Sequence, residues 1–256
     1  MSDLIGLVGL FFAGMAAGAV NSVAGGGTLI SFPSLVAFGE PEIISNATNT
    51  AALWPASLSS ALGYRKDIPV ERRLLITLAI PSLIGGLLGA VILVVTPAET
   101  FKHVVLFLVL FATLVLASRD VLNRRLRSNA RTDEYVTTGG RIWGALFQLF
   151  VATYGGYFGA GIGILMLGSF SLMGLRDIHK MNAVKTPLGA IINVTAFFFA
   201  LKGLVAWLLA ILMTAGSIIG GYAGARLAIH VNPNVMHFCV VAVGLLVSGW
   251  FFAKSF

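Results

Sequence analysis

Charged residues are scarce in this chain. They make up 11% of its 256 residues, whereas ordinary soluble domains contain roughly 25%. Hydrophobic residues make up 57%, and apolar stretches of about 20 residues, the length that crosses a hydrocarbon layer, recur along the whole sequence. The composition therefore excludes a soluble globular protein and indicates an integral membrane protein with the lipid bilayer as its surroundings.

Cysteine pairs, buried acids and enzyme motifs are also missing. The single cysteine, Cys239, cannot form an internal disulfide, and none of the ten acidic residues lies well inside an apolar segment. The four histidines lack metal-ligand spacing, and no P-loop lysine follows the glycines at 25–27. We therefore expect no enzyme activity, no cofactor, no metal site and no carboxylate-based proton relay.

Basic residues are concentrated in two polar connections. Ten of the 17 Lys and Arg residues lie there: Arg65, Lys66, Arg72, Arg73, Arg119, Arg124, Arg125, Arg127, Arg131 and Arg141. This distribution follows the positive-inside rule and argues against nucleic-acid binding. The longer connection, 119–140, is predicted to be cytoplasmic and to separate a first transmembrane repeat, 1–118, from a second, 141–256.

Ten apolar segments are predicted from the hydropathy pattern. They cover 4–24, 28–38, 43–64, 74–95, 100–118, 141–158, 162–174, 183–201, 204–226 and 234–253. The second and seventh are too short to span the bilayer upright, so we expect short tilted or re-entrant helices there.

The two halves of the sequence repeat one another. At an offset of 136 residues, Gly25 matches Gly161, Asn46 matches Asn182, and Thr50 matches Thr186. At an offset of 135, "SLIGGLLGA" from Ser82 matches "SIIGGYAGA" from Ser217. If both basic connections are cytoplasmic and each half crosses the membrane five times, the first half starts outside and ends inside. The second half then starts inside and ends outside, so the two halves have opposite orientations. The predicted fold is an all-α membrane protein of two inverted repeats, each with about five hydrophobic segments and a glycine-broken short helix.

Glycine-rich breaks occur at matching positions in the two halves. "AGGGTLISF" contains Gly25, Gly26 and Gly27, and "GAGIGILML" contains Gly161 and Gly163. Close helix packing through small residues is one explanation. Paired breaks also indicate a transport site, because an unwound backbone exposes amide groups and the following helix N-terminus favours an anion.

Polar clusters follow both breaks. "SNATNT" holds Asn46 and Thr50, and "MNAVKT" holds Asn182, Lys185 and Thr186. The two asparagines are candidate helix N-caps. Amide and hydroxyl donors beside one ammonium also suit a small oxyanion, although Lys185 could instead extend to the membrane interface. Asn21 and Asn193 are secondary candidates for the same site.

These motifs resemble the sulfite exporter TauE/SafE family of membrane permeases. The resemblance covers essentially the whole chain and is carried by "GAVNSVAGGGTLISFPSLVAFG" with "SNATNT" and by "GGYFGAGIGILMLGSFSLMG" with "MNAVKT". It implies a multi-pass protein of a bacterial inner membrane and a substrate such as sulfite, a sulfonate or a related organic anion. It also implies that the repeated motif forms the pathway.

The predicted function is a secondary transporter that moves this anion by alternating access. An uncoupled anion permeation path and a non-transporting membrane interaction protein are the alternatives. A coupling ion such as a proton is compatible with the sequence. The repeated "IGG" faces at 84–86 and 219–221 could pack within the monomer or form a homo-oligomer, and packing within the monomer is favoured.

Overall fold

A computed structural model describes residues 2–23, 25–64, 72–118, 138–173, 178–227, 241–242, 244–246 and 248–249. The central basic connection up to residue 137, Arg65, Lys66, Cys239 and most of the predicted segment 234–253 therefore lie outside the described residues.

The described chain is helical and has no strand among these residues. The helices are α1 (Ser2–Val23), α2 (Thr28–Phe38), α3 (Glu42–Gly63), α4 (Arg72–Val95), α5 (Ala98–Ala117), α6 (Thr138–Tyr157), α7 (Ile162–Leu172), α8 (Ile178–Asn193), α9 (Thr195–Leu201) and α10 (Trp207–Leu227). Spans that are long and apolar enough to cross a membrane include Leu4–Val23, Arg72–Val95, Ala98–Ala117, Lys180–Leu201 and Trp207–Arg226. The prediction of an all-helical membrane protein is confirmed.

Local sequence sets the ends of the helices. Gly39, with φ of 111°, ends α2 as its N–H bonds to Val36 O, and Pro41 begins α3 by accepting the first helical bond from Ser45 N–H at 2.8 Å. The expectation that Asn46 and Asn182 are N-caps is wrong. Both residues lie inside helices, because α3 starts at Glu42 and α8 at Ile178.

The short helix α2 folds back along α1. Gly27, at its start, lies against the Ala17 carbonyl and Asn21, whereas the ring of Phe38, at its end, lies against Gly6. Residue numbers therefore rise along α2 as they fall along α1, so the two helices form an antiparallel hairpin.

The eighth predicted segment departs from expectation, since it begins five residues earlier than predicted and is interrupted at Val194 between α8 and α9.

Small residues bring helices of the two halves into close contact. In α1, Gly14 and Gly18 lie against the backbone at Met213 and Ser217 of α10, so these helices run parallel. In the second such pair, Gly85 and Gly89 of α4 lie against the backbone at Leu149 and Thr153 of α6, and these helices also run parallel. Such close backbone approach is a common way of packing helices in membranes.

The "IGG" glycines are used inside the monomer. Gly86 lies against Ile192 of α8, and Gly220 lies against the Met15 carbonyl of α1. This agrees with the favoured intramolecular packing. The outer faces of the same helices carry exposed apolar side chains, among them Ile80, Leu88 and Leu208, as expected where lipid is the surrounding medium.

Helix α3 lies between α10 and α8. Ser217 Oγ of α10 donates to Ala52 O at 2.6 Å, and Trp54 Nε1 donates to Ala190 O of α8 at 3.1 Å. Trp54 and Ala190 are 136 residues apart, so positions that the repeat makes equivalent touch one another. The α3 and α8 helices therefore meet where the two halves join.

Candidate functional site

The two glycine breaks meet in the middle of the protein. Gly25 has φ of 76°, and its matching residue Gly161 has the same value. The Cα of Gly25 faces the backbone of Gly163 so closely that a Cβ at position 25 would overlap it. The positive φ therefore favours glycine at both positions, and at Gly25 the contact between two backbones also requires it.

Each break presents the start of a short helix. The first hydrogen bonds of α2 run from Leu29 N–H to Gly26 O and from Ile30 N–H to Gly27 O. Within the described residues, the amides of Gly26 and Gly27 donate no hydrogen bond. In α7 the first such bond runs from Ile164 N–H to Gly161 O. Amide groups of this kind carry partial positive charge and favour an anion.

A cavity lies beside this crossing and takes side chains from both halves. Its volume is about 30 Å³, which is room for about two water molecules. It is lined by Asn21, Gly25, Thr28, Asn49, Thr50, Leu53, Ser57, Ser60, Gly155, Phe158, Gly159, Ile162, Gly163, Met166, Lys185, Thr186, Gly189 and Asn193.

Matching faces of α3 and α8 form two walls of the cavity. Four positions of α3 and the four that lie 136 residues later all line it: Asn49 and Lys185, Thr50 and Thr186, Leu53 and Gly189, Ser57 and Asn193. Their spacing of one, four and eight residues is that of one helix face. The duplication therefore extends from the sequence to the lining of the cavity.

Lys185 is the charged residue among those that line the cavity. Its side chain is 4% exposed, so it does not extend to the membrane interface. The ammonium donates to Ser22 O at 3.1 Å and to Val23 O at 3.3 Å, the last carbonyls of α1. Cations are stabilised at helix C-termini, because the carbonyls there carry partial negative charge.

Asn46 joins α3 to the end of α6. Its Nδ2 donates to Tyr157 O, at the end of α6, at 2.8 Å. Its Oδ1 is buried and, among the described residues, has no hydrogen-bond donor. The matching atom Asn182 Oδ1 is in the same state. A buried amide oxygen without a donor is costly, so each of these atoms marks a place where water or a ligand is needed.

The predicted site residues divide into two groups. The cavity brings together Asn21, Gly25, Thr50, Gly163, Lys185 and Thr186. Gly26, Gly27, Asn46, Gly161 and Asn182 do not line it, although they form the breaks and the ties around it.

Sequence reasoning missed several lining residues. Ser57 lies on the same helix face as Asn49 and Leu53, so helical periodicity carried forward from the polar cluster would have found it. Phe158 and Met166 are apolar and give no signal in a search for anion ligands. No group of three or more metal-ligating His, Cys, Asp or Glu side chains occurs in the part of the chain that the structure describes.

Comparison with known proteins gives a consistent result. Residues 10–251 match the family described as "Sulfite exporter TauE/SafE". A "Probable membrane transporter protein" of Haemophilus influenzae is 28% identical over 97% of both chains. "Probable membrane transporter protein ORF9" of Sinorhizobium sp is 28% identical over 92% of this chain and 88% of its own. "Probable membrane transporter protein YfcA" of Escherichia coli K12 is 26% identical over 93% of this chain and 87% of its own. No solved structure matches the chain.

Proposed function

The chain belongs to the sulfite exporter TauE/SafE family of membrane transporters, and we propose that it carries a small sulfur-containing anion, such as sulfite or a sulfonate, through the cavity between its halves. The observation that carries this proposal is the convergence of two helix N-termini and the buried Lys185 ammonium on one cavity. A family of transporters also accounts for the absence of any enzyme motif.

The charge of the cavity favours an anion with a single negative charge, such as a sulfonate or sulfite in its singly protonated form. Lys185 contributes one positive charge, and the Asn193 amide contributes neutral donors. The hydroxyls of Thr50 and Thr186 donate to helix carbonyls one turn earlier. In surroundings of low dielectric constant, a second negative charge would lack a partner and would be costly to bury. Leu53, Phe158 and Met166 suit a short carbon group on the substrate.

Alternating access is the proposed mechanism. The packing of α1 with α10 matches that of α4 with α6, which supports a two-fold relation between the halves. In this proposal 1–118 and 141–256 are inverted repeats. We propose a carrier, and an uncoupled permeation path through the same cavity is the alternative. In this proposal the 119–140 connection faces the cytoplasm of a bacterial inner membrane.

Uptake of labelled sulfite and a panel of small sulfonates into proteoliposomes tests the proposal. We expect saturable uptake that is lost in Lys185→Ala, because truncation of a buried charged partner costs about 2 to 5 kcal/mol, or at least about 30-fold in affinity. Lys202→Ala is the matched control, since Lys202 is exposed and lies over the Phe198 ring at 5.7 Å.

Each result has a distinct meaning. Absence of uptake for every member of the panel would contradict the proposed substrate class. Intact uptake in Lys185→Ala would remove Lys185 from the pathway. If an imposed gradient drives uptake but the substrate never accumulates against its own gradient, the uncoupled path is favoured.

A further inference from the structure

Each glycine break exposes a helix C-terminus as well as a helix N-terminus. At the end of α1, the carbonyls of Ser22 and Val23 hold the ammonium of Lys185 at 3.1 and 3.3 Å. The partial negative charge of that helix end is therefore balanced by a cation that is covalently attached to α8.

The end of α6, comprising Tyr157, Phe158 and Gly159, has a different arrangement. An offset of 136 relates Lys185 to Asn49 and relates Ser22 and Val23 to Phe158 and Gly159. Asn49 carries no charge and bonds to α2 instead, with Nδ2 at 3.3 Å from Thr28 Oγ1 and Oδ1 accepting from Ser31 Oγ. The α6 end consequently lacks the tethered cation that the α1 end possesses.

Oxygen atoms without donors collect at the α6 end. Neither the Phe158 nor the Gly159 carbonyl accepts a hydrogen bond from any described residue. Asn46 is 1% exposed, and its amide reaches the same helix end, with Nδ2 on Tyr157 O at 2.8 Å. Its Oδ1 has no donor in the described part of the chain, and the same is true of the matching atom, Asn182 Oδ1, so the two carbonyls are what distinguish the α6 end. Phe158 and Gly159 line the cavity, so an ion in the cavity can reach this end.

From these observations we infer that the α6 end binds a monovalent alkali cation, held by the carbonyl oxygens of Phe158 and Gly159 as Ser22 O and Val23 O hold the Lys185 ammonium. The cation occupies the place that the Lys185 ammonium occupies at the α1 end. Neutral oxygen ligands suit a singly charged ion, whereas Ca²⁺ and Mg²⁺ sites use carboxylates. Half-helix C-termini and unwound carbonyls are suitable cation ligands within a membrane.

The site gives the proposed transport a coupling ion. A cation at the α6 end lies beside the anion cavity, so one cation and one anion would cross together without net charge. This coupling role rests on the proposed function. The cation site itself does not, because its contacts involve no substrate.

Thermal unfolding of the purified full-length chain tests the site. We would compare midpoints in NaCl, KCl and choline chloride at equal ionic strength and without substrate. We expect Na⁺ or K⁺ to raise the midpoint over choline by about 5 °C at a hundred-fold excess over Kd. Asn49→Lys supplies an ammonium at the matching position, so its midpoint should be the same in all three salts.

Asn49→Ala is the matched control. It removes the bonds to Thr28 and Ser31 but adds no charge, so it should keep the cation-dependent shift. Equal wild-type midpoints in the three salts would overturn the inference and would indicate water at the α6 end. A full shift in Asn49→Lys would also overturn it.

A second variant keeps the test decisive if Asn49→Lys does not fold. Lys185→Asn removes the tethered cation and opens the α1 end to free cations, so the shift should become larger than in the wild type. An unchanged shift would contradict the equivalence of the two ends. Because these measurements use no anion substrate, a failed uptake experiment and a failed cation site remain distinguishable.

Discussion

Helices α3 and α8 present the same four positions to the cavity but fill them differently. The threonines Thr50 and Thr186 are identical, and each hydroxyl donates to the carbonyl one turn earlier, at 2.9 and 3.0 Å. By contrast, Asn49 matches Lys185, and Leu53 matches Gly189. The comparison separates two roles. The shared threonines set the shape of the site, whereas the differing pairs give the site its charge and its space.

The difference in charge has an electrostatic reason. Two fixed ammonium groups facing one small cavity would repel one another at every stage of transport, whereas a free cation can enter and leave together with the anion. One ammonium, on α8, leaves a net attraction for a single anion. The difference in size works alongside it, because Gly189 has no side chain and leaves room opposite Leu53.

The largest expected effect compares the two breaks at Gly25 and Gly161. Both have φ of 76°, so an alanine at either is strained by about 1 to 3 kcal/mol. In Gly25→Ala the new Cβ also overlaps the Gly163 backbone, whereas in Gly161→Ala its nearest contact is Ala112 O at 3.4 Å. We expect Gly25→Ala to lose about 1 to 3 kcal/mol more stability than Gly161→Ala, measured by thermal unfolding and by recovery in size-exclusion chromatography. Equal losses would show that the crossing tolerates a side chain.

The next effect concerns the space at Gly189. In Gly189→Leu the second half copies Leu53 and fills the cavity, since a Cβ at position 189 meets only Ser57 Oγ, at 4.0 Å. We expect uptake in proteoliposomes to fall by about tenfold or more, because overpacking of about 1 to 3 kcal/mol opposes substrate binding.

Gly9→Leu is the matched control for this substitution. Gly9 is an exposed helical glycine, and a Cβ at its position would meet nothing within 4 Å, so uptake should be unchanged. Full uptake in Gly189→Leu would mean that the substrate does not pass Gly189.

A smaller effect is expected when the ammonium is moved between the helices. Lys185→Asn should abolish most uptake, and the double variant Asn49→Lys with Lys185→Asn should recover at least about tenfold of it, which corresponds to about 1.4 kcal/mol. Uptake by the single and double variants in proteoliposomes measures this. A double variant no better than the single one would show that positions 49 and 185 are not equivalent.

The smallest effect compares two hydroxyls on α3. Ser57 lines the cavity and donates to Leu53 O at 3.1 Å. We expect this hydroxyl to turn from Leu53 O and donate to the bound anion. Ser57→Ala should then raise the KM for uptake about two- to fivefold, as expected for one neutral hydrogen bond of about 0.5 to 1 kcal/mol.

Ser59 provides the control for that hydroxyl. It donates to Ala56 O and Ile218 O and does not line the cavity. Ser59→Ala should therefore leave KM unchanged. An equal rise in KM for Ser59→Ala and Ser57→Ala would contradict a direct contact between Ser57 and the substrate. It would mean that general loosening of α3 raises the KM.

The sequence predicted the helices well, because hydrophobic runs of membrane-spanning length leave few alternatives. It predicted the site less completely. The polar clusters at Asn46 and Asn182 were interpreted as helix starts, whereas Pro41 and Ile178 show that the helices begin one turn earlier. Asn193 was predicted and lines the cavity. Its matching residue Ser57 was missed, although it lies on the same helix face as Asn49 and Leu53.

Other features depend on contacts that no spacing reveals. The bond from Lys185 to the end of α1 joins residues 163 apart, and the bond from Asn46 to Tyr157 joins residues 111 apart. The type of each residue was informative, because an ammonium or amide inside a membrane needs a partner. The identity of that partner depends on how the halves pack.

The contact between Gly25 and Gly163 has a mechanical consequence. Elsewhere in a packed protein, one element turns against another only if interlocked side chains change rotamer. Here the backbones of the two glycines touch directly, so no side chain of one segment is inserted between side chains of the other. At this one point the two breaks therefore meet without interlocked side chains, and the side-chain ties between them, from Lys185 and Asn46, lie beside the crossing.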